Sequence, residues 1–281
     1  MLTMQKFLIR GSRGTMPSCG VCSLRHGGHT TCFSLDTEDG MIIVDAGSGI
    51  THINSDLAGE SRLRPMTILF THFHLDHVIG LPAFEPFYKG GSEITIMADR
   101  ARSEDWRIAL QTFMGKPYWP VGLGETSAQM KLVDLPAPKR LMSLYGVQVS
   151  WMPVPHPQQC LAYRLTTSES SVVIATDVEY PEDGIPAEFV NFCADADFLV
   201  FDAHFTPAEQ PLHRGWGHST WAVAVQAAIQ SHVRRLVLTH HAPTRSDSEL
   251  TEILHAARRV FPKTFLASEN TLLSPASFGP A

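Results

Sequence analysis

The sequence lacks the features that mark membrane, secreted and nucleic-acid-coating proteins. It has no run of about 18 apolar residues, so a transmembrane helix is not expected. Lys6 and Arg10 interrupt the first apolar stretch, which argues against a signal peptide. Cysteine is scarce, at five in 281 residues, which argues against a disulfide scaffold and favours a cytoplasmic location. Charged residues make up 18% and the net charge is −6, which argues against broad binding to nucleic-acid backbones.

Two kinds of residue are abundant instead. Hydrophobic residues make up 44% of the chain, which is enough for a globular core and excludes a disordered protein. Histidine occurs 14 times, compared with five tryptophans and five tyrosines. This number of imidazoles points to metal or proton chemistry.

The order of predicted elements indicates an α/β protein. No repeat of fixed period is present, and short apolar runs bounded by Gly, Pro and Asp predict about a dozen strands. Longer segments predict four helices, at about residues 76–88, 103–113, 220–232 and 246–260. Strands interleaved with helices predict a layered α/β fold, and we expect one domain over residues 1–281.

The pattern weakens between residues 115 and 141. This stretch is rich in Gly and Pro and has no clear period, so it predicts a surface loop or insertion. The alternative is a lid, because Tyr118 and Trp119 could line the mouth of a pocket.

Five apolar runs end on Asp or His. They close at Asp45, at residues 72–77, at Asp177, at Asp202 and at residues 240–241. One such residue is usually a turn or cap residue, but strand ends in layered α/β proteins meet at one edge where ligands bind. The five endings together predict a shared site.

The densest group is the HxHxDH segment formed by His72, His74, Asp76 and His77. Imidazole and carboxylate ligands suit Zn, Mn or Fe better than Mg or Ca. Four ligands within six residues are too many for one catalytic ion that keeps an open position, so the segment predicts two divalent metal ions, most plausibly zinc.

Further ligands come from later in the chain. His156 lies between prolines, where a turn histidine is the alternative interpretation, and Asp177 can bridge two ions. The sequence thus predicts one site with His72, His74 and His156, a second with Asp76, His77 and His240, and Asp177 shared between them.

This set of motifs resembles the metallo-β-lactamase superfamily from about residue 11 to residue 267. The resemblance implies an αββα four-layer sandwich with a dinuclear site at one edge, where Asp45 supports the ligand loop. Gly217-His218-Ser219-Thr220 and Asp202 are similar to motifs of the tRNase Z and phosphodiesterase branch. His218 is then the general acid, oriented by Asp202, although a histidine at the start of a helix can also be a capping residue.

The resemblance implies hydrolysis by attack of a metal-bridging hydroxide, with Asp76, Asp202 and His218 as the catalytic group. The first loop, residues 11–18, resembles the glycine-containing loop of this branch, so Ser12 is a candidate substrate contact. Arg245, in the segment that follows His240 and His241, is a candidate phosphate contact. Arg245 could equally be a surface residue. His241, beside a ligand, is a candidate supporting residue.

The expected substrate is a small phosphodiester, with a cyclic nucleotide as one candidate. Long-form tRNA-processing relatives carry an arm between the ligands that match His156 and Asp177, and this interval is too short for one. RNA is therefore less favoured. The alternatives are tRNA 3′ processing and hydrolysis of a thioester or lactam. We expect no membrane partner, a homodimer is compatible with the sequence, and Cys19 and Cys22 are candidate ligands of an additional metal ion.

Overall fold

The computed structural model describes residues 5–100, 105–136, 141–182 and 184–274. Two seven-stranded sheets form the centre of the fold. The first sheet has the order β14-β1-β2-β3-β4-β5-β6, with β1 Lys6–Gly11, β2 Cys32–Asp36, β3 Met41–Val44, β4 Met66–Leu69, β5 Glu93–Ala98, β6 Gln129–Asp134 and β14 Thr271–Leu272. The second has the order β13-β12-β11-β10-β9-β8-β7, with β7 Met142–Leu144, β8 Val147–Val154, β9 Cys160–Thr166, β10 Ser171–Ala175, β11 Phe198–Asp202, β12 Leu236–Thr239 and β13 Thr264–Leu266.

Helices cover the outer faces of both sheets. The α-helices are α1 Thr51–Asp56, α2 Leu75–Val78, α3 Trp106–Phe113, α4 Ala187–Cys193, α5 Trp221–Gln230 and α6 Asp247–Arg258. Short 3₁₀ turns lie at Val21–Ser23, Ser48–Ile50, Leu81–Ala83, Glu85–Tyr88, Leu123–Glu125 and Gln210–Leu212. None of the described helices is long and apolar enough to cross a membrane.

The alternation of side chains along each strand explains the layers. In β10, Val172 and Ile174 pack into the core between the two sheets, whereas Val173 and Ala175 pack into a second core that also contains residues of α5. A third core lies on the outer face of the first sheet and includes Trp106 of α3. Because successive strand residues point to opposite faces, strands that are apolar throughout build three cores and four layers. This arrangement confirms the predicted αββα sandwich.

The predicted helix at residues 76–88 is wrong in extent. The α-helix ends after Val78, and the two 3₁₀ turns that follow contain Pro82 and Pro86 near their starts. Proline lacks a backbone N–H and clashes with the preceding turn, so the segment cannot continue as one α-helix. The helices predicted at 220–232 and 246–260 are present as α5 and α6, and Ser246 and Glu249 cap α6 reciprocally.

Residues 115–141 are not a loop throughout, because they include β6, which pairs in parallel with β5. The indole N–H of Trp119 donates to the Tyr88 hydroxyl at 3.0 Å, and its ring packs against the core on the outer face of the first sheet. Among the described residues, none of 115–136 lines the cavity over the predicted ligands, and residues 137–140 lie outside the described part. The described part of this segment therefore gives no support to a lid.

Candidate active site

The predicted ligands lie at one edge of the two sheets. Asp45 follows β3, His72 follows β4, Asp177 follows β10 and His240 follows β12, while Asp202 ends β11. Because β3 pairs in parallel with β4, and β10, β11 and β12 pair in parallel, their carboxyl ends point to the same edge. Asp45, Asp177 and His240 all have left-handed backbone, with φ of 60°, 53° and 57°. Strained backbone of this kind concentrates at functional sites.

The structure brings the seven predicted ligands into two groups that share one carboxylate. In each group, one potential ligand atom from every residue lies within 4.8 Å of the others. The first group is His72, His74, His156 and Asp177, and the second is Asp76, His77, Asp177 and His240. These are the two sets that the sequence predicts.

Hydrogen bonds on the first imidazoles fix which nitrogen faces the site. Asp45 accepts from the backbone N–H and the hydroxyl of Thr71, both at 2.8 Å, and from Nδ1–H of His77 at 2.8 Å. Because the Thr71 hydroxyl donates to Asp45, it accepts from Nδ1–H of His72 at 3.1 Å. The Nε2 lone pairs of both histidines are therefore directed away from these partners.

The later ligands are oriented in the same way. The Thr176 hydroxyl donates to Asp177 at 2.6 Å and accepts from Nδ1–H of His240 at 3.0 Å. Nδ1–H of His156 donates to the carbonyl oxygen of Gly217 at 2.9 Å. Hydrogen bonds that fix the tautomer and the ring plane are the usual environment of metal-binding histidines.

Unpartnered nitrogen atoms then meet at the shared carboxylate. The Nε2 atoms of His72, His77 and His240 are buried and make no hydrogen bond among the described residues. They lie 3.8, 3.1 and 3.3 Å from oxygen atoms of Asp177. Buried polar atoms are normally paired, so this convergence of lone pairs on a carboxylate fits bound cations. Imidazole and carboxylate donors of this kind suit divalent transition metals.

The pKa values of the histidines in the two groups also favour bound cations. Burial lowers the pKa of His240 to about 3, so this imidazole is neutral and offers a lone pair. Burial would also lower the pKa of His77, but the carboxylates of Asp177, Asp76 and Asp45 raise it well above its usual value. These carboxylates therefore favour a positive charge at this position, which a bound cation would supply in place of the proton on Nε2 of His77.

His218 and Asp202 form a pair beside the ligands. Asp202 is fully buried, and it accepts a hydrogen bond from Nδ1–H of His218 at 2.9 Å. Burial opposes charge on His218, but the charge and hydrogen bond of Asp202 outweigh it and raise the pKa of His218 to about 9. An imidazolium near neutral pH, with Nε2–H as its second proton, can act as a general acid.

Two further residues, His204 and Glu179, hold His218 in place, and sequence reasoning missed Glu179. His204 stacks on His218 with ring centroids 4.5 Å apart, and its Nδ1–H donates to the carbonyl oxygen of His240 at 3.0 Å. The carboxylate of Glu179 accepts from the backbone N–H groups of Gly215 and Gly217 at 2.8 and 2.7 Å. Glu179 lies 38 positions before Gly217, so only the folded chain reveals this contact.

Gly14 and Thr15, rather than Ser12, bring the first loop next to the predicted ligands. The backbone N–H of Thr15 donates to Asp76 at 2.7 Å, and a Cβ on Gly14 would lie 2.3 Å from the His240 ring. Ser12 itself is fully buried, and its hydroxyl donates to the carbonyl oxygen of His26 at 3.2 Å. A hydroxyl in this position does not reach a bound substrate, so Ser12 is a poor candidate for a substrate contact.

The other candidate residues have different environments. Arg245 lines the cavity, but its guanidinium is paired with Glu209 through contacts of 2.6 and 2.9 Å. His241 is buried, and its Nε2–H donates to the carbonyl oxygen of Ala267 at 3.2 Å. Ala267 is not a predicted ligand, so this hydrogen bond does not orient a metal-binding side chain. Cys19 is exposed with a free thiol, and the side chain of Cys22 lies outside the described part of the structure, so an additional metal there stays a prediction.

A cavity of about 570 Å³ opens over the two ligand groups. Asp76, Asp177, His218 and His240 line it, and Trp216 lies at its edge with 63% of its surface exposed. A pocket of this volume matches the size of small-molecule sites.

Comparison with known proteins agrees with this geometry. A family model described as a beta-lactamase superfamily domain matches residues 41–241, more than half of the chain. A Ribonuclease Z from Clostridium tetani is 22% identical, with 83% of this chain and 88% of that relative covered. The solved structure of the metallo-beta-lactamase fold protein YhfI from Bacillus subtilis is similar, with a TM-score of 0.72, 17% identity, and 97% and 100% of the two chains covered. A diphosphatase from the PhnP family has a TM-score of 0.68 and 18% identity, with 96% and 98% covered.

Proposed function

The chain belongs to the beta-lactamase superfamily and is a metal-dependent hydrolase, and from this premise we propose that it hydrolyses a small phosphodiester. The observation that carries the proposal is the His218–Asp202 pair, which adjoins the cavity over both ligand groups. Hydrolysis of a phosphodiester expels an alkoxide, which needs a proton, and this pair can supply one.

We assign the two divalent ions, with zinc as the first candidate and manganese or iron as alternatives, to the two groups described above. When bound, such ions supply Lewis-acid stabilisation of the phosphoryl oxygens and an activated water. Asp177 joins the two groups, and Asp45 orients His77 through the hydrogen bond to its Nδ1. Asp76 has a second contact, because it accepts from the backbone N–H of Thr15, which ties the first loop to the ligands.

His218 carries the proton transfer in this mechanism. Asp202 binds Nδ1–H and stabilises the imidazolium, so the proton on Nε2 is the one available to the departing oxygen. Stacking against His204 fixes the plane of the ring. Hydrolysis of a thioester expels a thiolate, which can leave without a proton and has no evident need for this pair, so we prefer a phosphodiester to a thioester.

Processing of tRNA 3′ ends is the alternative supported by the relatives named Ribonuclease Z. Against it stands the interval between His156 and Asp177, which is occupied by the antiparallel pair β9 and β10 and the turn between them. This leaves no residues for an arm in that interval, and the acidic net charge of −6 also disfavours an RNA substrate.

The test is the dependence of the His218→Ala variant on the leaving group. General acid catalysis contributes about 10²–10⁴-fold. We expect a loss of this size for a diester with an alkoxide leaving group, such as a cyclic nucleotide, and a much smaller loss for bis(p-nitrophenyl) phosphate. Metal content should stay unchanged. Equal losses on both substrates, or loss of metal, would contradict the role of His218. Cleavage of a 3′-extended tRNA in preference to both would favour the alternative.

A further inference from the structure

Trp216 is a large aromatic side chain that the fold leaves exposed at the edge of the active-site cavity. Its exposed fraction is 63%, and it lines the same cavity as His218 and Asp177. A side chain this exposed contributes little to a hydrophobic core. An exposed aromatic ring beside a polar site is instead a common feature of ligand contacts.

The backbone around Trp216 is held in a fixed turn. Gly215 and Gly217 on either side have left-handed φ angles of 83° and 88°, a conformation that glycine adopts without strain. Glu179 accepts from the N–H groups of both glycines. Gly217 in turn accepts the hydrogen bond from His156, so the turn that presents Trp216 is tied to a predicted metal ligand.

The indole ring also rests on an ordered aromatic stack. It lies edge-on to His213, with ring centroids 4.8 Å apart and an interplanar angle of 90°. His213 stacks on Phe205 at 4.4 Å, and its Nδ1–H donates to the carbonyl oxygen of Glu209 at 2.9 Å. The contact with His213 restricts the side-chain rotamers of Trp216, which reduces the entropy that Trp216 loses when a ligand contacts its face.

We infer that Trp216 is the platform on which the base of a nucleotide stacks while its phosphate occupies the catalytic cavity. The inference rests on the proposed function and deepens it by naming the substrate class. Trp216 and His218 are two residues apart, so their Cα atoms are separated by at most about 7 Å. A nucleotide places its base one sugar away from its phosphate, which matches this short spacing.

The cavity favours one base rather than a run of bases. Among its described lining residues, Trp216 is the one large aromatic side chain with most of its surface exposed, and Phe205 is buried. Proteins that bind single-stranded nucleic acid stack successive bases on several aromatic side chains. A single platform beside a cavity of about 570 Å³ fits a mononucleotide unit.

The test compares two ligands that differ only in the base. AMP and ribose 5-phosphate are titrated into the metal-loaded protein by calorimetry, for the wild type and for Trp216→Ala and Trp216→Phe. Stacking of one base on an aromatic side chain corresponds to about 5–150-fold in affinity. We expect the wild type to prefer AMP by a factor in this range, Trp216→Ala to lose the preference and Trp216→Phe to keep most of it. Ribose 5-phosphate should bind all three proteins alike.

Tyr118→Ala is the matched control, because Tyr118 is also exposed, at 69%, and does not line the cavity. This variant should keep the preference for AMP. Equal affinity of the wild type for AMP and ribose 5-phosphate, or a preference that survives in Trp216→Ala, would overturn the inference. Because binding needs no turnover, this result is independent of whether the protein hydrolyses a phosphodiester.

Discussion

Replacing Gly217 with alanine should damage the metal site through a residue that is not a ligand. Gly217 has a φ of 88°, and a Cβ there would lie 2.2 Å from Nδ1 of His156 and 2.5 Å from Cδ of Pro157. The left-handed conformation costs an L-residue about 1–2 kcal/mol. The clash must in addition move His156, which now donates from Nδ1 to the Gly217 carbonyl oxygen.

Gly215, two positions earlier, distinguishes the cost of the left-handed backbone from the effect of the clash with His156. Gly215 has a φ of 83°, but a Cβ there meets no atom within 4 Å. Gly215→Ala should therefore lose about 1–2 kcal/mol of stability and keep its metal affinity. Gly217→Ala should show a similar or larger loss of stability and also bind metal about 10–100-fold more weakly, the usual cost of disturbing a residue that orients a metal ligand.

Two assays measure the outcomes. Urea unfolding of the metal-free proteins gives the stability change, and competition with a chromophoric chelator gives metal affinity. If Gly217→Ala holds its metal as tightly as Gly215→Ala, the position of His156 beside Gly217 does not govern metal binding.

Three further outcomes follow from the site. Glu179→Ala should lower kcat by about 10-fold or more, because the loss of charge-assisted hydrogen bonds frees the turn before His218; unchanged kcat would contradict this. Asp202→Asn should move the alkaline limb of the kcat–pH profile to lower pH, because the Asp202 charge and hydrogen bond outweigh burial and keep the pKa of His218 raised to about 9; an unmoved limb would argue against the pair. Arg245 and Thr206 hold the pKa of Glu209 down to about 2 against burial, so the stability that this carboxylate contributes is present above its usual pKa of 4.5 and is lost as the pH falls towards 2. Acid unfolding of Glu209→Gln should lack this pH-dependent contribution to stability. An acid-unfolding curve identical to that of the wild type would show that Glu209 makes no such contribution.

The sequence predicts the candidate ligands because their signal is local. Several strands end on Asp or His, and the rule that parallel strand ends share one edge is enough to predict that these side chains lie together. The HxHxDH segment also places His72 and His77 within six residues. The order of strands and helices indicates only a layered α/β fold, and the four layers are what the family resemblance implies. The short α2 helix was also foreseeable, since Pro82 and Pro86 stand in the sequence.

The environments that the sequence does not predict depend on contacts between residues far apart in the chain. Glu179 binds a turn 36–38 positions away, and Arg245 meets Glu209 across 36 positions. Ser12 is a candidate because of its place in a glycine-containing loop, but the fold buries it and its hydroxyl donates to the carbonyl oxygen of His26. The exposure of Trp216 depends on a turn whose conformation is fixed by tertiary hydrogen bonds rather than by local propensity.

Two metal ions bound in the shared site are expected to support phosphodiester hydrolysis. The most direct measurement removes the metal with a chelator, then follows turnover of bis(p-nitrophenyl) phosphate as zinc, manganese or iron is added in known equivalents. Turnover should rise until two ions are bound per chain and then level off. Protein that binds two ions per chain and hydrolyses no phosphodiester with any of these metals would contradict this expectation.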